Sequence, residues 1–129
     1  MEQVHSSFPR LPSSVALARA WADAQLHELL ALSVFDAGSV LLVVSELVTN
    51  AVLHGQGTIW LGLDIEPGCV EIRVRDAGPV FEPPAVTEGL STSGWGFQVV
   101  EAISVGWGVE PSESGKTVWA AVPVSAWDP

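Results

Sequence analysis

The chain has 129 residues, enough for one compact domain around one core and not comfortably for two. With 48% hydrophobic and 16% charged residues it is too apolar to remain disordered. Its net charge of -10, from 15 Asp+Glu against 5 Lys+Arg, argues against the phosphate-neutralising surface that general binding to DNA, RNA or anionic membranes requires.

One cysteine, Cys69, excludes an intramolecular disulfide framework and a cysteine-based zinc site. The N-terminal MEQVHSSFPR lacks the basic start and apolar stretch of a secretory signal. Apolar runs are interrupted short of the roughly 18 residues that a membrane helix needs. A reduced, cytoplasmic setting is the expectation.

In chain order, the N-terminal stretch is expected to add an edge strand. LPSSVALARAWADAQLHELL reads as a first helix, with Ser13 or Ser14 as N-cap and Val15, Leu17, Ala18, Trp21, Leu26 and Leu29 at helical intervals. Asp36 is placed to cap a second helix running to about His54, where Gly55 supplies the stop. Two strands follow, TIWLGLDI and CVEIRVRD, joined by the turn EPG. In the second, Val70, Ile72 and Val74 alternate with Glu71, Arg73 and Arg75, the pattern of a sheet with one wet face.

A loop rich in Gly, Pro, Ser and Thr then runs from Ala77 to about Gly94, a length typical of functional lids. GWGFQVVEAIS reads as a third helix opened by glycines, and SVGWGVEP and KTVWAAVPV as two more strands turning at Gly115. Lys116 beside that turn reads as an ordinary exposed lysine, and Trp127 as a candidate exposed tryptophan. Helix, helix, strand, strand, loop, helix, strand, strand implies a two-layer α+β sandwich, with helices sharing one face of the sheet, in a single domain over residues 1–129.

The second helix carries an unusual row. Within SELVTNAVLHG, Glu46, Asn50 and His54 recur every fourth residue and therefore share one face, while Val40, Val44, Leu47, Val48, Ala51 and Val52 cover most of the circumference. A helix apolar on most sides is mostly buried, and a buried Glu needs a partner or a wet cavity. Three readings stay open on these residues alone: a polar stripe facing solvent, a metal site, and a cavity-lining row in which His54 caps the helix C-terminus.

Three further segments follow in order. VRDAGPVF puts Asp76 at a strand end with Gly78 close behind; SGWGFQVV puts Gly94 and Gly96 at a helix start; GKTVWAAV puts Thr117 on the last strand. The series E-x-x-x-N, D-x-G, G-x-G and a terminal strand Thr resembles the ATP-binding module of the GHKL superfamily, the Bergerat fold. More narrowly, SELVTNAVLHG, GWGVEP and GKTVWAAVP resemble the small bacterial anti-sigma-factor serine kinases and their actinobacterial relatives, over about Phe8 to Val124.

The resemblance implies ATP (or ADP) and Mg²⁺ as ligands, and a mixed, mostly antiparallel sheet. It implies that Asn50 coordinates Mg²⁺ through its amide oxygen and that Glu46 orients or deprotonates an attacking hydroxyl. Asp76 would accept the adenine amino group, with Thr117 in support, and Gly78 would let backbone approach the base. Gly94 and Gly96 would present N–H groups to phosphates at the positive end of the third helix, and the 77–94 loop would be the ATP lid. It further implies phosphorylation of a serine on a STAS-domain anti-sigma antagonist, alternating with sequestration of a sigma factor, by a protein that is often a homodimer. No direct nucleic-acid or membrane contact is implied.

Two departures stand out. The usual D-x-G-x-G is here Asp76-Ala77-Gly78-Pro79-Val80, without the second glycine. No Lys or Arg occurs between Arg75 and Lys116, so the lid brings no cation to a γ-phosphate. These departures favour nucleotide binding over kinase activity and keep a second reading in play, a protein-binding module that retains the fold without the chemistry.

Overall fold

The computed structural model describes residues 2–29, 34–79 and 92–125. Most of the expected lid (residues 80–91) and Trp127 lie outside the described residues. The elements are β1 (Glu2–Phe8), α1 (Ser14–Leu29), α2 (Val34–His54), β2 (Ile59–Glu66), β3 (Cys69–Asp76), α3 (Thr92–Ile103), β4 (Gly106–Ser112) and β5 (Gly115–Pro123). The strands form one sheet in the order β1-β2-β3-β5-β4. β1 is an edge strand, as the sequence suggested. All four pairings among the described strands are antiparallel, where a mixed, mostly antiparallel sheet was expected.

Alternation along the strands gives the sheet two unlike faces. Ile59, Leu61, Leu63 and Ile65 of β2, Val70, Ile72 and Val74 of β3, and Val118, Ala120 and Val122 of β5 are buried under the helices. Glu71, Arg73 and Arg75 of β3 turn to the other face. On the helical side α2 lies in the middle, against β3, β5 and β2, with α1 and α3 packed beside it.

By length and composition α2 passes for a membrane span, contrary to the sequence expectation: over the 19 residues Asp36–His54 the mean hydropathy is 1.5. Val40, Val43, Val44, Leu47, Val48 and Ala51 are nevertheless fully packed in the core. In α1 the buried positions are Ser14, Ala18, Ala22 and Leu26, an i, i+4 stripe of mostly small side chains suited to close contact with α2. Leu17, expected on the apolar face, is 55% exposed instead.

Two expected caps act differently. Ser13 occupies the N-cap position of α1, its carbonyl accepting the Leu17 N–H at 3.4 Å, whereas the Ser14 hydroxyl donates to the Pro9 carbonyl at 2.6 Å. Helix α2 begins two residues before Asp36, whose Oδ2 accepts the Ser125 N–H at 2.7 Å and ties the end of the sheet layer to the helix start.

Candidate functional site

The C-terminal end of α2 meets the ends of β3 and β5 at Asp76. Gly55 follows α2 directly, its N–H bonded to the Ala51 carbonyl at 2.9 Å. A Cβ there would lie 2.5 Å from that carbonyl oxygen and 2.6 Å from the Asp76 carboxyl carbon. The glycine is therefore required by close approach of helix to carboxylate, and not by the left-handed backbone that a helix stop suggested; positive φ occurs at Gly57, Gly68 and Gly115. Gly78 is closed in the same way, with the place of its Cβ 2.8 Å from Asp76 Oδ1 and 3.1 Å from Lys116 Nζ.

Asp76 is 3% exposed. Its Oδ1 accepts the Gly78 N–H at 2.6 Å, the Lys116 ammonium at 2.9 Å and, more loosely, the Gln56 N–H at 3.4 Å. Its Oδ2 is buried without a hydrogen-bond partner among the described residues. Since carboxylate oxygens deep in a fold are normally satisfied, Oδ2 is an acceptor held in reserve.

Asn50 shows the same signature more strongly. It is 7% exposed, and neither its amide oxygen nor its amide nitrogen has a partner among the described residues. Asn50 stands five residues before Gly55, about 7.5 Å along the helix from the Asp76 end. Glu46 lies a further turn away, half-buried, and burial raises its carboxyl above the ordinary value of 4.5. His54, the last residue of the row, is exposed, which removes it from any buried ligand set. Among the described residues no three His, Cys, Asp or Glu side chains gather in a metal-binding group. A buried, unpartnered amide oxygen is a hard donor and fits Mg²⁺, which takes few protein ligands and keeps water or phosphate oxygens for the rest.

Helix α3 packs against α2. Gly94 falls among its first four residues, whose N–H groups have no intrahelical acceptor. Gly96 is the fifth, where the N–H is placed to bond back within the helix. Of the two glycines expected at the helix opening, Gly94 alone sits where a free N–H is expected.

Thr117 does not join the site. It is the Cα partner of Arg75 on one side and Glu110 on the other. Its neighbours Lys116 and Val118 are buried under the helices, so Thr117 projects to the open face, away from Asp76. Lys116 is the residue that faces Asp76 in register, and it is 0% exposed. Sequence reasoning missed it because glycine-flanked lysines suggest turns. The signal was present: Lys116, Val118, Ala120 and Val122 have the same period of two as the core strand positions.

The chain matches the family model of the histidine kinase-like ATPase domain over residues 8–122. Two similar curated proteins are anti-sigma F factors. That of Geobacillus thermodenitrificans (strain NG80-2) is 38% identical over 46% of this chain and 49% of its own length. That of Geobacillus sp. (strain WCH70) is 29% identical over 77% of this chain and 76% of its own. Among solved structures, the histidine kinase domain from the Erythrobacter litoralis EL346 blue-light activated histidine kinase aligns with a TM-score of 0.53 at 23% identity, a likeness of fold. That alignment covers 69% of this chain and 45% of the other. The chain thus spans about half the length of the first of these relatives and of this structure.

Proposed function

Because this chain belongs to the histidine kinase-like ATPase domain family, we propose that residues 1–129 form a single ATP- and Mg²⁺-binding domain that acts in the cytoplasm as an anti-sigma-factor-like serine/threonine protein kinase. The similarity to anti-sigma F factors supports a STAS-type anti-sigma antagonist as its substrate and a sigma factor as its second partner, with transcription as the process regulated. The observation that carries the reading is the pair of buried, unpartnered polar groups, the Asn50 amide and Asp76 Oδ2, at the C-terminal end of α2.

In this reading Asp76 Oδ2 accepts the adenine amino group, and the Cβ-free surfaces of Gly55 and Gly78 keep the carboxylate in place. Asn50 Oδ1 holds Mg²⁺, which when bound offsets phosphate charge. Gly94 offers its N–H to a phosphate oxygen at the positive end of α3. Glu46 takes the proton from a serine hydroxyl as its oxygen bonds to the γ-phosphorus and the bond to ADP breaks. Burial raises the proton affinity of Glu46, a change in the direction that favours a general base.

A second reading has its own support. No Lys or Arg lies between Arg75 and Lys116, and the Lys116 ammonium is engaged by Asp76 at 2.9 Å. A γ-phosphate would therefore rely on backbone N–H groups and Mg²⁺. A domain that binds partners, with or without nucleotide, and transfers no phosphate is consistent with this.

Calorimetric titration with ATP and ADP, with and without Mg²⁺, separates the two readings when followed by phosphate transfer to a cognate antagonist. Saturable, Mg²⁺-strengthened binding and transfer that disappears in Glu46→Ala are expected. Absence of binding at millimolar nucleotide would overturn the nucleotide reading, and binding without transfer would favour the partner-binding module.

A further inference from the structure

The carboxylate assigned to the base is half engaged by the protein itself. Asp76 Oδ1 takes the Lys116 ammonium at 2.9 Å and the Gly78 N–H at 2.6 Å, while Oδ2 takes nothing among the described residues. A carboxylate can turn about its Cβ–Cγ bond, a broad and roughly two-fold torsion, so an isolated Asp does not decide whether one oxygen or two meet a ligand.

Lys116 decides it here. Its side chain is 0% exposed and that of Asp76 is 1%, so neither partner can leave for solvent. The surroundings hold the carboxylate from both sides. The Cβ position at Gly78 lies 2.8 Å from Oδ1, and that at Gly55 lies 2.8 Å from Oδ2. β-Sheet register sets Lys116 directly across from Asp76, so the pairing is built into the strands.

We propose that Lys116 is a specificity-determining positioning residue: by holding Asp76 Oδ1 it leaves the pocket a single acceptor, Oδ2, which suits the amino group of adenine and denies guanine a two-oxygen clasp. The inference rests on the nucleotide reading above and adds the means of base selection. Guanine presents two neighbouring donors, N1–H and the 2-amino group, and a free carboxylate meets both with its two oxygens. With Oδ1 engaged, only one of them finds an acceptor and the other is buried unpaired. Adenine presents one amino group beside an acceptor nitrogen, and one oxygen satisfies it. An unmet buried donor corresponds to about a tenfold loss of affinity or more.

The test compares the Mg²⁺ complexes of ATP, GTP and ITP by calorimetry on the full chain. Inosine lacks guanine's 2-amino group, so ITP reports whether that group finds an acceptor. For the unmodified protein we expect ATP to bind tighter than GTP by about tenfold or more, and ITP, whose single donor one oxygen satisfies, to bind tighter than GTP as well. GTP binding as tightly as ITP or tighter would show Oδ1 open to ligands and overturn the proposal.

Lys116→Met keeps the unbranched stem of the side chain and removes the ammonium. In this variant GTP should gain on ITP, and the ATP-to-GTP ratio should narrow by about tenfold. A folded variant in which all three nucleotides weaken together would show a lysine that is only structural, and would also overturn the proposal. Should the variant fail to fold, the GTP-to-ITP ratio of the unmodified protein decides by itself. Failure of all three nucleotides to bind the unmodified protein would overturn the nucleotide reading and this inference with it. Binding of ATP with the wrong GTP-to-ITP ratio overturns the inference alone.

Discussion

Asp76 and Arg73 stand three residues apart on β3 and face opposite sides of the sheet, and each makes ion pairs. On the helical side, Asp76 and Lys116 pair at 2.9 Å with side chains 1% and 0% exposed. On the open side, Arg73 reaches Glu71 at 2.5 Å and Glu110 at 2.6 Å, with the arginine 34% and the two glutamates 29% and 55% exposed. The open face matches its charges freely: Arg75 lies 4.5 Å over the Trp60 ring, which is also beside His5. The helical face leaves Asp76 Oδ2 and both amide atoms of Asn50 buried and unpartnered among the described residues. Asp64 Oδ1 on the open side and Ser104 Oγ after α3 are also buried without a partner among the described residues. Where polar groups can find partners cheaply they do so, and where they are dry and unmatched they mark a ligand.

The largest expected effect breaks the buried pair. Asp76→Ala leaves the Lys116 ammonium buried without its carboxylate and should cost about 3–5 kcal/mol in denaturant unfolding, together with loss of nucleotide binding. A cost under about 1 kcal/mol would make the buried pair equivalent to an exposed one and remove the contrast between the faces.

How much of this was legible in the sequence depends on which physical signal each residue carried. The sheet and helices were readable because Val70, Ile72 and Val74 alternate and α2 keeps its apolar positions at helical spacing. The Glu46–Asn50 row was visible as a polar line inside an apolar helix. Thr117 and Lys116 were exchanged, because the resemblance offers a residue type while the face of a strand is set by register. The register becomes certain only once Asp76 is seen opposite Lys116. Gly55 was legible as a helix end but not as a contact, since close approach to a residue 21 positions away leaves no local trace. Asp36 likewise reads as a cap, and its bond to Ser125 joins segments far apart in the chain.

The next effect has the opposite sign. Asn50→Leu replaces two unpartnered amide atoms with an apolar side chain of similar size, so the ligand-free protein should gain about 1 kcal/mol. The same change should abolish the Mg²⁺ dependence of nucleotide binding. Denaturant melts and calorimetry together give the check. Reduced stability with unchanged binding would mean that the amide is an ordinary satisfied core group.

Glu46→Gln sharpens the comparison through pH. Burial raises the Glu46 carboxyl above 4.5, so the folded state takes up this proton more readily than the unfolded chain. The stabilisation linked to that proton is fully present below the unfolded value and is lost as pH rises through the folded one. Glutamine has no proton to lose. The variant should therefore melt above the unmodified protein at pH 7, and the gap should close as pH falls below about 4.5. Thermal melts across that range would reveal a gap of the wrong sign if Glu46 gains a stabilising partner on ionising.

The smallest effect belongs to the open face. Glu110→Ala removes one of two carboxylates from Arg73, and the bond to Glu71 remains. Glu110 is 55% exposed, so solvent already screens the pair and its side chain is costly to order. The expected loss is below about 1 kcal/mol, and it should vanish near 1 M salt, where the Debye length falls to about 3 Å. Denaturant melts at low and high salt measure both parts. A loss of several kcal/mol that persists in salt would mean that the Arg73 group works as a tightly coupled network. The open face would then rival the pocket side as a place where charge is structurally demanding, and polar matching could no longer be read as a property that separates the two sides of β3.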